Sequence, residues 1–484
     1  MLWNKTTRKI LGAFLIGFSF FLILPLVVSA IFSDGNSETF ILTSAITFVA
    51  GFSLWFPLRK ETQELKIRDG FLIVALFWVV LSLTGSIPFM LSEEIEISRS
   101  DAIFESFSGL TTTGATVIRG LDKLPPSLLF YRQMLQWLGG MGIIVLAVAI
   151  LPILGIGGMQ LYKAESPGPI KDTKLTPRIK ETAKALWYLY VSLTVFCAIA
   201  YYLAGMSALD AVGHSFSTIA IGGFSTHDDS MQFFDSAAID YIAILFMFLA
   251  GINFTLHFLA WRKKTVLAYI ADSEFKAYLI ILATVFTLCA AVLIHTDTYS
   301  SVADSIRYGL FQSVSIGTTT GFTNATFHLW PTFLPALLIL SSFVGGCAGS
   351  TGGGIKVIRC MLLFKQGSRE IKRLIHPNAI IRIRVGDRII GDRVVDAVWG
   401  FFAAYILIFV ILLLSLMGTG LDQATAFSSV AACLNNLGPG LGTVHEHYGN
   451  LSTSAKYLLC LAMLMGRLEI FTLLVLFSPT FWRA

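Results

Sequence analysis

Ten apolar segments, each long enough to cross a bilayer, follow one another along this chain at 10–32, 39–57, 70–91, 127–156, 186–205, 237–261, 277–295, 329–364, 397–417 and 455–479. Lipid offers no partner to a backbone N–H or C=O, so such segments must be helices that satisfy their own polar groups. Composition agrees. Of 484 residues, 55% are hydrophobic and only 13% charged, where a soluble domain carries about 25% charged residues. The fold class is therefore an all-α polytopic membrane protein.

Charge orients it. Of the 35 Lys and Arg, 26 fall in the N-terminal tail, the segments 59–68, 158–185, 262–276 and 365–393, and Arg483. The intervening polar segments lean acidic (Asp34, Glu38; Glu93, Glu94, Glu96; Asp228, Asp229, Asp235). The positive-inside rule makes the basic segments and the N-terminus cytoplasmic. Basic residues spread over several short loops argue against nucleic acid as a partner. The six cysteines stand in apolar contexts with no CxxC pair and read as small core residues.

The last eight segments form four pairs. Between the members of each pair lies a short polar run ending in glycine: "TTTG" (111–114), "AIGG" (220–223), "TTTG" (318–321) and "NNLG" (435–438). The stretches before the runs match: "DAIFESFSGLTTTGAT" and "DAVGHSFSTIAIGGFS" align without a gap, and those led by Asp304 and Asp422 are longer by about one helical turn. Asp101, Asp210, Asp304 and Asp422 suit the start of a short helix, where a carboxylate meets free N–H groups. Such a helix is too short to cross, so the chain dips in and returns on the same side. Irregular backbone at membrane depth survives only when it is buried in protein or lines a water-filled path. Four re-entrant runs around one axis would present rings of carbonyl oxygens to a dehydrated cation, with the negative ends of the short helices aimed at it.

These residues resemble the Trk/Ktr/HKT superfamily of cation transporters over the whole chain. The resemblance implies two extra N-terminal helices (1–58) and four membrane-pore-membrane repeats (70–156, 186–261, 277–364 and 394–479), in a pseudo-fourfold arrangement like that of potassium channels. It implies filter glycines at Gly114, Gly223, Gly321 and Gly438. Filter carbonyls would come from Thr111, Thr112, Thr113, Ala220, Ile221, Gly222, Thr318, Thr319, Thr320, Asn435, Asn436 and Leu437. In plant relatives a serine in place of the first filter glycine accompanies sodium preference. Four glycines here imply that the transported ion is K+, although the tyrosine of the TVGYG filter is missing. No organic cofactor is implied.

The stretch "VGGCAGSTGGGIKVIR" (344–359) holds too many glycines to continue a helix. It resembles the family's intramembrane gating loop (345–354), carried by Gly345, Gly346, Gly349, Ser350, Thr351, Gly352, Gly353 and Gly354. It is not a phosphate-binding loop, since Ile355 follows the last glycine where that motif needs Lys. Arg467 and Glu469 are ionisable residues inside the last span, where such residues face the bundle interior or a water path. The family's arginine at this place lines the pore below the filter, and Arg467 matches it. Lys356 and Arg359 mark the cytoplasmic end of the loop. The basic segment 365–393 contains "AIIRIRVGDRII", a hairpin pattern around Gly386–Asp387. The resemblance implies a homodimer contact there and docking of a TrkA-like cytosolic nucleotide-binding ring; contact with anionic membrane lipids fits the same residues. The location implied is the bacterial inner membrane.

"HEH" (445–447) lacks the HExxH spacing, and no GxGxxG follows a strand, so the chain reads as a transporter and not an enzyme. An ion-coupled potassium symporter remains the alternative to a pore. Carriers with broken helices commonly show inverted repeats, whereas these repeats are parallel.

Overall fold

A computed structural model describes residues 4–61, 67–142, 179–468 and 470–483. Among the described residues, six spans are apolar and long enough to cross a membrane, the first and third with a one-residue break at Leu22 and Ser86: Lys5–Phe32, Ser37–Leu58, Asp69–Leu91, Lys184–Leu203, Ser273–His295 and Asp392–Met417. The first two are the N-terminal pair, packed along each other. The other four are the first helices of the four repeats.

The second helix of a repeat behaves differently. In repeat 1 it runs Pro126–Gly140, and the remainder of the expected span falls outside the described residues. In repeat 2 it bends by 93° between Ala237–Ala250 and Phe254–Lys263. In repeat 3 it stops at Ser342 and resumes at Val357, with residues 343–356 in non-helical backbone. In repeat 4 it is split into Thr453–Arg467 and Ile470–Phe477. Among the described residues, the expected second spans of repeats 2, 3 and 4 are therefore broken, while the first helices of the repeats run the full length. Close packing explains where. An added methyl on Gly139 would lie 1.9 Å from the Leu110 carbonyl, and one on Gly466 2.2 Å from that of Leu434.

Four short pore helices fill the centre: Arg99–Leu110, Ala208–Ala220, Val302–Thr318 and Gln423–Leu434. Their starts correct the expectation that the aspartates are the caps. In repeats 1 and 2 the cap is a serine. Ser98 Oγ accepts from the Asp101 amide at 3.2 Å and donates to its carboxylate at 2.7 Å, and Ser207 does the same for Asp210 at 3.1 and 2.7 Å. Ser301 caps the third helix through the Ala303 amide at 3.1 Å. Only Asp422 is itself a cap, accepting from the Thr425 amide at 3.0 Å. Asp101, Asp210 and Asp304 occupy the first turn instead, where their charge still meets the positive helix end. The extra turn expected in repeat 4 is therefore a shift of its aspartate, since that helix has 12 residues like the first. The third, at 17 residues, is the one that is longer.

The repeats are tied in a cycle. The second helix of repeat 1 packs on the pore helix of repeat 2, that of repeat 2 on the third, that of repeat 3 on the fourth, and that of repeat 4 on the first. The hairpin forms as a two-stranded antiparallel ladder, Arg384–Val385 against Arg388–Ile389.

Candidate functional site

Each pore helix ends in the same way. The amide of the residue before the run's last glycine bonds back five residues: Thr113 to the Ser108 carbonyl (2.9 Å), Gly222 to Ser217 (2.8 Å), Thr320 to Ser315 (2.7 Å) and Leu437 to Ala432 (2.7 Å). This is a Schellman-like helix end, which demands a left-handed residue. That residue is Thr112, Ile221, Thr319 or Asn436, with φ between 53° and 72°. The glycine two places on is left-handed again, with φ of 81°, 77°, 83° and 97°. Amides are thus satisfied locally. Among the described residues no donor reaches the carbonyls of Thr112, Thr113, Thr319, Thr320, Asn436 or Leu437.

The four runs close on one another. A methyl built on Gly114 would fall 2.2 Å from the Gly222 carbonyl, on Gly223 2.1 Å from that of Thr320, on Gly321 2.0 Å from that of Leu437, and on Gly438 2.7 Å from that of Thr113. Each glycine therefore abuts the last carbonyl of the next run, and the fourth returns to the first. Of the 16 residues assigned to the runs from sequence, the four glycines and the residues before them make these contacts, while Ala220 and Thr318 are the last residues of their pore helices and Thr111 and Asn435 cap theirs. Side chains hold it from behind. Thr111 pairs with Thr113 at 2.8 Å and Thr318 with Thr320 at 2.7 Å. Asn436 Nδ2 donates to Thr113 Oγ1 at 2.9 Å and to the Met463 carbonyl at 3.0 Å, joining run 4 to run 1.

Above the ring opens a cavity of about 160 Å³ lined by all four glycines. Its wall carries Asp228, Asp229 and Glu446 with His227, His328 and His445, so part of the "HEH" motif stands at this mouth. Among the described residues no cluster of three His, Cys, Asp or Glu could hold a metal ion. His227 bridges two repeats, 2.5 Å from Asp122 and 3.4 Å from Asp210. Burial alone would lower its pKa, but the hydrogen bonds and charges of Asp210 and Asp122 outweigh that and raise it above the ordinary 6.5.

Below the ring lies the loop of repeat 3. The Gly353 amide donates to Thr319 Oγ1 at 2.7 Å, the Gly354 amide to the Asn435 carbonyl at 3.1 Å, and Thr351 Oγ1 to the Ile219 carbonyl at 2.9 Å. It thereby touches the bases of runs 2, 3 and 4. Gly349 is anchored through its carbonyl, which accepts from the Phe254 amide at 3.0 Å. Gly345, Gly349 and Gly354 are left-handed, and a methyl added to Gly346 or Gly352 would lie 3.1 Å from the Gly251 carbonyl or 2.8 Å from that of Thr318. Ser350 Oγ donates to the Cys347 carbonyl at 2.6 Å. Arg467 donates to the Thr351 carbonyl at 3.1 Å and to that of Gly139 at 2.6 Å, so it links this loop to repeat 1. Lys356, at the end of the loop, donates from Nζ back to the Gly352 carbonyl. Glu469 falls outside the described residues, as does the basic segment up to Arg178.

Sequence reasoning missed a polar group on the repeat 1 helix Pro126–Gly140. Arg132 and Glu105 form a buried ion pair at 2.8 Å. Arg132 also donates to the Ser225 carbonyl at 2.9 Å, Gln133 to that of Phe224 at 3.3 Å, and Gln136 to that of Gly222 at 2.5 Å. The signal was present as three long polar side chains in an otherwise apolar span.

The family model described as TrkH, cation transport protein, matches residues 36–484. The chain belongs to the TrkH family. Among its relatives is the Trk system potassium uptake protein TrkH of Vibrio parahaemolyticus, 58% identical over 482 residues and covering 99% of both chains. Another is the Trk system potassium uptake protein TrkG of Escherichia coli, 42% identical over 460 residues and 95% of both. The crystal structure of the potassium transporter TrkH from Vibrio parahaemolyticus superposes with a TM-score of 0.91 at 54% identity, covering 99% of each chain. TrkH membership and the apolar helices make this chain a multi-pass membrane transporter for cations.

Proposed function

We propose that the chain takes up potassium across the bacterial inner membrane through the axis of the four runs. The observation that carries this reading is the ring: four left-handed glycines, each abutting its neighbour's carbonyl, with donor-free carbonyls at consecutive levels. Such oxygens replace the hydration shell of a large monovalent cation, and the pore-helix ends add partial negative charge. The carboxylates of the mouth concentrate cations there. The names of the relatives, all of a potassium uptake system, support K+ as the cargo.

The loop 345–354 acts as the gate. It lies against the bases of runs 2, 3 and 4, held by single hydrogen bonds from Thr351, Gly353 and Gly354 together with Arg467. The acid-rich face is external and the N-terminus cytoplasmic, by the distribution of Lys and Arg. The basic segment 365–393 serves a homodimer contact and receives a TrkA-like nucleotide-binding ring; the relatives' place in a Trk system supports a cytosolic partner.

Cation flux into liposomes holding the purified chain tests this, with K+, Rb+, Na+ and Li+ compared under a set membrane potential. Fast, potassium-favouring flux without a proton gradient is expected. Slow flux that requires a proton or sodium gradient would make the ring the binding site of an ion-coupled carrier.

A further inference from the structure

Runs 1 and 3 brace themselves through their threonine pairs, at 2.8 and 2.7 Å. Run 2, Ala220-Ile221-Gly222, has no hydroxyl or amide side chain to do so. Its support comes from the preceding repeat. Gln136 Nε2 donates to the Gly222 carbonyl at 2.5 Å, and Gln136 Oε1 accepts from the Phe224 amide at 3.0 Å. One fully buried amide thus spans two peptide groups of the run. Contact is direct, since a methyl on Gly222 would lie 2.4 Å from Gln136 Cδ.

The corresponding positions are Met247, Ser342 and Met463, since Gly251 matches Gly140 in facing the next repeat's tyrosine and Gly466 matches Gly139 in facing its own pore helix's last carbonyl. They alternate in register with the runs. Ser342 Oγ accepts from Asn435 Nδ2 at 3.0 Å and so supports run 4, whereas Met247 and Met463 precede the self-braced runs 3 and 1. A polar group stands at this helix position only where the next run lacks a threonine pair.

We propose that Gln136 is a positioning residue for ion selectivity: it fixes the Gly222 carbonyl and so completes the second quarter of the ring. The proposal rests on the reading of the runs as a filter. Losing one buried hydrogen bond is worth a factor of about three to ten in an equilibrium. Gln136→Leu, purified as full-length chain into liposomes, should lower the K+ over Na+ flux ratio about threefold to tenfold while K+ still passes. Gln136→Glu adds a readout that mere packing would not move. Its protonated carboxyl can donate to Gly222 and accept from Phe224, but its ionised form cannot donate. Its ratio, taken relative to wild type at each pH, should approach wild type at pH 5 and fall toward pH 9.

Gly223→Ser serves as the comparator. If it changes the ratio while both Gln136 variants, monodisperse and conducting, keep the wild-type ratio, the role of Gln136 is overturned and the filter reading stands. If Gly223→Ser also leaves the ratio unchanged, the filter reading fails and this proposal with it. Should Gln136→Leu not fold, Gln136→Glu decides, and a ratio flat with pH overturns the proposal.

Discussion

At Gly321 a single added carbon would sit 2.0 Å from the Leu437 carbonyl, far inside the contact distance of two heavy atoms. The backbone there is also left-handed, which costs an L-residue about 1–2 kcal/mol. Serine at Gly114, Gly223 or Gly321 must therefore displace a carbonyl of the neighbouring run, and each is expected to cut potassium preference in the liposome assay by about tenfold or more, the change for about 1.4 kcal/mol. Gly438→Ala, with 2.7 Å to the Thr113 carbonyl, should be the mildest of the four. His227 makes a second prediction. Its raised pKa means the charged bridge between Asp122 and Asp210 is fully present below about pH 6.5 and is lost as pH rises through the folded value. Thermal midpoints in detergent should fall from pH 6 to pH 8, and His227→Gln should flatten that slope. Among single residues the four glycines were legible from sequence because they recur behind matching stretches. The left-handed Thr112, Ile221 and Thr319 were not, since no propensity favours a β-branched residue at positive φ and only the helix-end hydrogen bonds impose it; Asn436 is the one residue of the four whose type tolerates that conformation. Gln136 was invisible for a related reason: its partner lies 86 residues away.

Among the elements, the pore helices were legible in number and place, because a short polar helix between two apolar spans has few alternatives. Their caps were misread. "SRSD" and "SALD" each carry a serine three residues before the aspartate, the local pattern of a capped helix start, and attention to the acid alone hid it. The breaks in the second helices were legible only in repeat 3, where glycine density is high. In repeats 2 and 4 a lone Gly251 or Gly466 gave little notice of a break that close packing enforces. Removing Thr351–Gly353 deletes the contacts to Ile219 and Thr319, and a folded, truncated chain should pass K+ several-fold faster. Arg467→Ala frees the Thr351 and Gly139 carbonyls and removes a positive charge beneath the ring, so it should also raise flux. Unchanged flux in both would reduce the loop to packing.

Over the whole molecule, the cycle of repeats must close between the last and the first, some 350 residues apart. Lys456 of repeat 4 lies 2.5 Å from Asp101 at the start of the first pore helix and donates to the Gly449 carbonyl at 2.8 Å. Lys456→Met leaves a largely buried carboxylate without its partner and should cost about 1–3 kcal/mol, read as a lower thermal midpoint with potassium preference retained. Closure itself could be inferred from four parallel repeats, but its direction, each second helix onto the following pore helix, is set by packing between residues far apart in sequence. One property of the ring reaches beyond mechanics. A pore made of four identical subunits changes at all four corners with every codon substitution. Here each corner is encoded once, and the runs have already diverged to "TTTG", "AIGG", "TTTG" and "NNLG". Evolution can therefore adjust such a ring a quarter at a time, with three corners unchanged while the fourth is tried.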